Sequence, residues 1–167
     1  ARLLGSRLGV DEARVVPQAR LAGDLGADDL DVREIVMALE GRYRIAWPRD
    51  RAGRDLTVDD LVRTLLTLLI NDLTTGPEQV ILVLDDYHPI ETESIDQALT
   101  FLLDHLPPTL RLIITSRIDP PLPLARWRVR GQLRDIRAHD LRFSMAEASV
   151  FFQQALALPL TNAEVAA

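Results

Sequence analysis

Two hydrophobic patterns succeed one another along the 167-residue chain. Up to Gly76 the apolar residues recur at helical spacing. Leu3, Leu4 and Leu8 predict a short helix face over residues 2–9. Residues 10–29 read as loop, punctuated by Pro17, Gly23 and Gly26. Asp28 or Asp29 then caps a helix through about Leu39, because a carboxylate accepts bonds from the orphan N–H groups of a first turn. Leu30, Ile35, Val36 and Leu39 give that helix its apolar stripe, and Gly41 its end signal. Pro48 and Gly53 mark a connection. From Thr57, the series Val58, Leu61, Val62, Leu65, Leu66, Leu69, Ile70 and Leu73 predicts one unbroken helix stopping near Gly76-Pro77.

Beyond Pro77 the apolar residues come in unbroken runs. Val80 to Leu84 ends in Asp85-Asp86, and Leu110 to Thr115 ends in Ser116-Arg117. Continuous β-rich runs predict parallel strands buried on both faces. Between them Ile95, Ala98, Leu99, Leu102, Leu103 and Leu106 have helical spacing, so the unit reads strand–helix–strand. Both polar clusters then fall at the carboxyl ends of neighbouring or near-neighbouring strands, the edge at which open α/β sheets bind ligands. A proline-rich connection leads to a short helix near residues 124–129 and a short strand near 133–138. Ser144 and Glu147 are spaced as a capping box for a last helix. The fold class expected is α/β.

Composition narrows the chemistry. Hydrophobic content of 47% is ample for a packed core, and the longest apolar run falls short of the roughly 20 residues that cross a bilayer. A cytoplasmic setting is expected. With no cysteine there is no thiolate nucleophile and no sulfur-ligated metal. All 19 basic residues are arginine, which removes Schiff-base chemistry and any lysine clamp on phosphate. A net charge of −6 argues against direct nucleic-acid binding. His88, His105 and His139 lack ligand spacing, and no serine sits in a Gly-x-Ser-x-Gly elbow. The chain starts at Ala1 and stops soon after a helix-like segment, so a piece of a longer protein is expected.

Residues 1–64 resemble an acyl carrier protein. The resemblance runs through Leu8-Gly9-Val10, Val15-Val16-Pro17, Asp24-Leu25-Gly26-Ala27-Asp28, the following helix, Ile45-Ala46-Trp47-Pro48 and Thr57-Val58. It implies a small four-helix bundle. The family has a serine, bearing phosphopantetheine, where this chain has Asp29. A carboxylate offers no hydroxyl to attack coenzyme A, so the prosthetic arm is expected to be absent. Asp29 remains suited to the positive end of a helix dipole. Carrier-binding enzymes are the partners that the resemblance implies. However, residues 1–64 hold 11 Arg against 12 Asp and Glu, a net of −1 that steers weakly toward a basic partner.

Residues from 65 onward resemble the signal-transduction ATPase domain of large LuxR-type transcription regulators, the branch that includes the maltose regulator. The matching series is Leu82-Val83-Leu84-Asp85-Asp86-Tyr87-His88, Phe101 to Pro108, Ile113-Ile114-Thr115-Ser116-Arg117, Asp119 to Arg126 and Leu141-Arg142-Phe143. By this resemblance Asp85 is the Walker B carboxylate that holds Mg²⁺ through water. Asp86 orients or activates the attacking water, and Arg117, with Ser116 or Thr115, senses the terminal phosphate of ATP. An arginine fork suits phosphate oxygens. The phosphate loop, Gly-x-x-x-x-Gly-Lys-Ser or Thr, is missing, and no lysine exists to serve it.

The division expected is a carrier-like module over 1–64, a partial P-loop-type α/β unit with parallel strands over 65–143, and the start of a helical region over 144–167. The functional expectation is a fragment of an ATP-dependent LuxR-type regulator joined to a serine-less carrier-like module. Its partner is the rest of a larger regulator. No activity is expected from the chain alone, and ATPase activity at most if a phosphate loop is supplied from outside it. The alternative is a carrier or docking module of fatty-acid or polyketide synthesis without its arm. One consequence is direct: incubation with a phosphopantetheinyl transferase and coenzyme A should leave the mass unchanged, and an added pantetheine mass would refute the reading of Asp29.

Overall fold

A computed structural model describes residues 1–51, 53, 56–76, 78–90 and 92–155, without the side chains of Gln153 and Ala155. Its helices are α1 (Arg2–Leu8), α2 (Asp29–Tyr43), α3 (Val58–Thr75), α4 (Glu93–Asp104), α5 (Leu124–Val129) and α6 (Met145–Ala155). Two strands, β1 (Val80–Leu84) and β2 (Leu110–Ile114), flank α4. The architecture is mixed α and β, with one short parallel sheet. Contacts divide the chain into two compact units, Ala1–Leu122 and Pro123–Ala167.

The first unit begins with a helical bundle. Its core joins Leu4 of α1, Val32, Ile35 and Leu39 of α2, Leu61 of α3, and Trp47. The segment expected as simple loop contributes Val15, Ala19, Leu21, Leu25 and Ala27 to the same core. It can do so because its backbone is bonded: Leu21 N–H donates to Leu56 O (2.8 Å), Val58 N–H to Ala19 O (3.0 Å) and Asp59 N–H to Pro17 O (2.8 Å). A buried loop is tolerable only when its polar groups are satisfied in this way. Among the described residues the bundle has three α-helices and two 3-10 turns, Glu12–Arg14 and Arg49–Arg51.

Details of α2 depart from the sequence expectation. Asp28, not Asp29, is the N-cap: it has extended backbone (φ −90, ψ −177) and accepts from the N–H groups of Leu30 and Asp31. Asp31 returns a bond to Asp28 N–H, closing a capping box. The helix passes through Gly41 and ends two residues later at Tyr43, with a left-handed Arg44 as its cap. Its buried positions are Val32, Ile35 and Leu39, which rotates the inner stripe away from Leu30, 62% exposed.

Helix α3 is continuous, as the spacing from Thr57 predicts. Thr57 and Asp60 form its capping box, and Asp60 is held below the usual carboxylate range by the Thr57 side-chain and backbone bonds. The expected stop is met at Gly76; Pro77 lies outside the described residues. Near the far end of α3, Thr109 Oγ, just before β2, donates to Leu73 O (2.6 Å). Arg63 of α3 lies 5.1 Å from the Phe101 ring centroid of α4, a cation–π contact.

β1 and β2 pair in parallel, Val80 opposite Leu110 through Leu84 opposite Ile114. Burial alternates along β2: Leu110, Leu112 and Ile114 turn inward, Arg111 and Ile113 outward. β1 is not buried on both faces, as its unbroken apolar run predicts. Ile81 is 62% and Val83 53% exposed. Two strands with one helix between them cannot sandwich a sheet.

In the second unit α5 spans the expected residues, and its Trp127 is buried. No strand forms over 133–138: Asp135 there accepts two bonds from Arg128 and one from Arg137. Ser144 and Glu147 make the expected capping box ahead of α6. Residues 156–167, the end of the last expected region, lie outside the described residues.

The two faces of α2 differ in a measurable way. Ile35→Ala should lower the unfolding free energy by about 2–5 kcal/mol. Leu30→Ala should change it by no more than about 0.5 kcal/mol. Chemical denaturation of the two variants reads the difference, and equal losses would contradict the assigned inner face.

Candidate functional site

The parallel register brings the two polar clusters together. Asp85 and Asp86 follow β1, Thr115, Ser116 and Arg117 follow β2, and the strands are direct neighbours. Thr115 N–H donates to Leu84 O (3.0 Å), which carries the pairing to the last residue of β1. Beyond it the ladder gives way to side chains. The Thr115 hydroxyl donates to Asp85 Oδ1 and accepts from Asp86 N–H (2.9 Å). The Thr115 carbonyl accepts from Tyr87 N–H (2.9 Å). One threonine therefore holds three successive residues of the turn.

That turn contains a left-handed residue, Asp86, with φ 51. Aspartate tolerates this region better than most residues, yet it persists only where neighbours hold it. Its carboxylate is exposed, as is that of Asp85. His88 Nδ1 lies 3.7 Å from Asp86 Oδ1, outside hydrogen-bond range. His88 Nδ1 and Ser116 Oγ are buried atoms with no hydrogen-bond partner among the described residues. Arg117 is exposed.

Tyr87, named from sequence only as part of the regulator-like series, is 2% exposed, and its hydroxyl donates to Asp96 Oδ1 of α4 (2.6 Å). Burial first, then the Asp96 bond and charge, push the phenol pKa up, so the hydroxyl keeps its proton. Neither this pair nor the Thr115–Asp85 bond was singled out from sequence. The available signal was an acid, Asp96, directly after Ile95 at the start of the apolar spacing of α4. Asp29 lies apart from this edge: it is the exposed first residue of α2, one position inside the Asp28 cap.

For the metal side of a nucleotide site the edge offers an exposed carboxylate with a second beside it, and for the phosphate side Arg117 and the Ser116 hydroxyl just beyond β2, but no cradle. The sequence contains no lysine and no glycine-rich phosphate loop. Among the described residues no group of three or more His, Asp or Glu could hold a metal ion. The chain by itself does not fit a nucleoside triphosphate with its metal. The groups lie at the carboxyl edge of the two-stranded parallel sheet, the edge at which open α/β sheets bind ligands.

Known proteins resemble the chain over part of its length. No family model matches the chain. Over 100 residues, 60% of the chain, it is 39% identical to the HTH-type transcriptional regulator MalT of Yersinia enterocolitica. The regulators of the same name from Yersinia pestis and Yersinia pseudotuberculosis match at the same 39% over 100 residues. The matched stretch spans 11% of each of these relatives. The chain is thus homologous over that stretch to MalT-type transcriptional regulators. Among the described residues no helix is long and apolar enough to cross a membrane.

The left-handed turn yields a stability ordering. Alanine at position 86 keeps the left-handed cost, whereas glycine does not. Asp86→Gly should therefore be more stable than Asp86→Ala by about 1 kcal/mol. Denaturant unfolding measures the gap. Equal stabilities would mean that this residue leaves the left-handed region when its side chain is cut back.

Proposed function

We propose that this chain is part of an ATP-dependent LuxR-type transcription regulator and supplies the metal-side edge of its nucleotide switch. The observation that carries the reading is the 39% identity to MalT over 100 residues. Its structural support is the juxtaposition of Asp85 and Asp86 with Thr115, Ser116 and Arg117 at one sheet edge. In this reading Asp85 would hold Mg²⁺, which would neutralise phosphate charge, Asp86 would orient or activate the attacking water, and Arg117 with Ser116 would sense the terminal phosphate. The phosphate cradle comes from outside these residues, so the chain alone neither binds ATP tightly nor hydrolyses it. The exposed apolar run of β1 supports the same view, since a strand of that composition is suited to burial on both faces. The partner is the remainder of the regulator, and residues 65–143 form the switch segment, followed by a helical region from 144.

A second reading concerns residues 1–64. A bundle core running from Leu4 to Leu61, with Asp29 exposed at the start of α2, supports a carrier-like docking module that has no phosphopantetheine arm. In that reading carrier-binding enzymes are its partners.

Titration calorimetry with Mg·ATP tests the first reading. The chain alone should give no binding, and micromolar binding would overturn the need for an outside cradle. A version extended by upstream coding sequence with a phosphate loop should bind. There Asp85→Asn should weaken Mg·ATP by about tenfold or more, the scale of one lost charge-assisted contact. No binding by that version would sink the nucleotide assignment.

A further inference from the structure

We infer that Tyr87 is a positioning residue for the Asp85–Asp86 turn, tying it to the first turn of α4 through Asp96. Two residues act on the turn from opposite sides. Thr115 holds it toward β2, through its hydroxyl to Asp85 and Asp86 and its carbonyl to Tyr87 N–H. Tyr87 holds it toward α4, through a buried ring and a 2.6 Å bond from its hydroxyl to Asp96 Oδ1. Between these supports lies Asp86 at φ 51. A left-handed aspartate relaxes when its surroundings cease to over-determine it, so losing either support should loosen the same two amides.

The bond has a direction of influence as well. Asp96 stands in the first turn of α4, where its own N–H is bonded to Thr92 O (3.3 Å). Any displacement of that turn pulls on a short, partly buried bond, and through Tyr87 on Asp86 beside it. The N-terminal end of α4 thereby has a physical connection to the carboxyl edge of the sheet. This inference rests on the reading of Asp85 and Asp86 as the nucleotide-facing groups, and it names what governs their placement.

Amide hydrogen exchange followed by NMR on the full chain, without nucleotide, tests it. Tyr87→Phe keeps the ring and removes one hydrogen bond. Exchange at the Asp86 and Tyr87 amides should rise about tenfold, while the Ile35 and Leu102 amides keep their rates. Asp96→Asn retains an acceptor and should stay close to wild type. Wild-type rates at both turn amides in Tyr87→Phe would overturn the inference, as would a uniform rise across β1, β2 and α4. If Tyr87→Phe does not fold, Asp96→Ala leaves the tyrosine intact and should show the same local rise; unchanged rates there would also overturn it. The exchange result is independent of nucleotide. Failure of the extended polypeptide to bind Mg·ATP would remove the functional reading and leave the anchor standing.

Discussion

Helix α3 is the constraint on which the first unit depends. Its opening turns belong to the bundle: Leu61 enters the core, and Thr64 is buried with its hydroxyl bonded to Asp60 O at 2.8 Å. Its closing turns belong to the strand–helix–strand unit, where Leu73 O receives the Thr109 hydroxyl and α4 lies alongside. No glycine or proline interrupts the 18 residues. A helix without a break transmits rotation and translation as one body, so bundle and sheet share a single element instead of meeting at a linker. The capping box at Thr57 matters beyond its own energy for this reason: it marks where the shared element begins.

The sheet edge shows how little is needed to order a short turn. Two five-residue parallel strands offer few ladder bonds, and the ladder ends at Leu84 and Thr115. Side-chain bonds from Thr115 and Tyr87 continue the order for three more residues. These bonds consume acceptor capacity on Asp85 and fix Asp86 in a conformation that costs energy.

Sequence patterns located elements far better than they located partners. The spacing from Thr57 gave the reach of α3, and the apolar runs gave both strands, because periodicity reports directly on local geometry. Helix α5 and the Ser144–Glu147 box were legible for the same reason. The inner face of α2 was not: Leu30 and Val32 are both apolar, and only the packing of the preceding loop selects Val32. That segment read as loop, punctuated by Pro17, Gly23 and Gly26, yet five of its residues enter the core. The candidate edge was half legible. Juxtaposition of the two polar clusters follows from strand–helix–strand order, whereas the Thr115 and Tyr87–Asp96 bonds depend on rotamers and register that spacing does not encode. No strand forms over 133–138, where Asp135 instead accepts bonds from Arg128 and Arg137.

The exposure of β1 leaves a quantity to be accounted for. A Val, Leu or Ile side chain gains about 1.5–3 kcal/mol on full burial. Val80, Ile81, Leu82 and Val83 remain 36%, 62%, 37% and 53% exposed, so a substantial part of that gain is unrealised in residues 1–122. The strand also carries none of the devices that protect an edge: it has no charge, proline or bulge. A composition so costly to leave in water makes physical sense when further layers cover it. The same argument bears on the carboxyl edge, since a sheet that gains strands gains side chains at the mouth of the crevice. On the proposed reading as part of a nucleotide switch, the unmet burial and the missing phosphate cradle are one deficit seen twice.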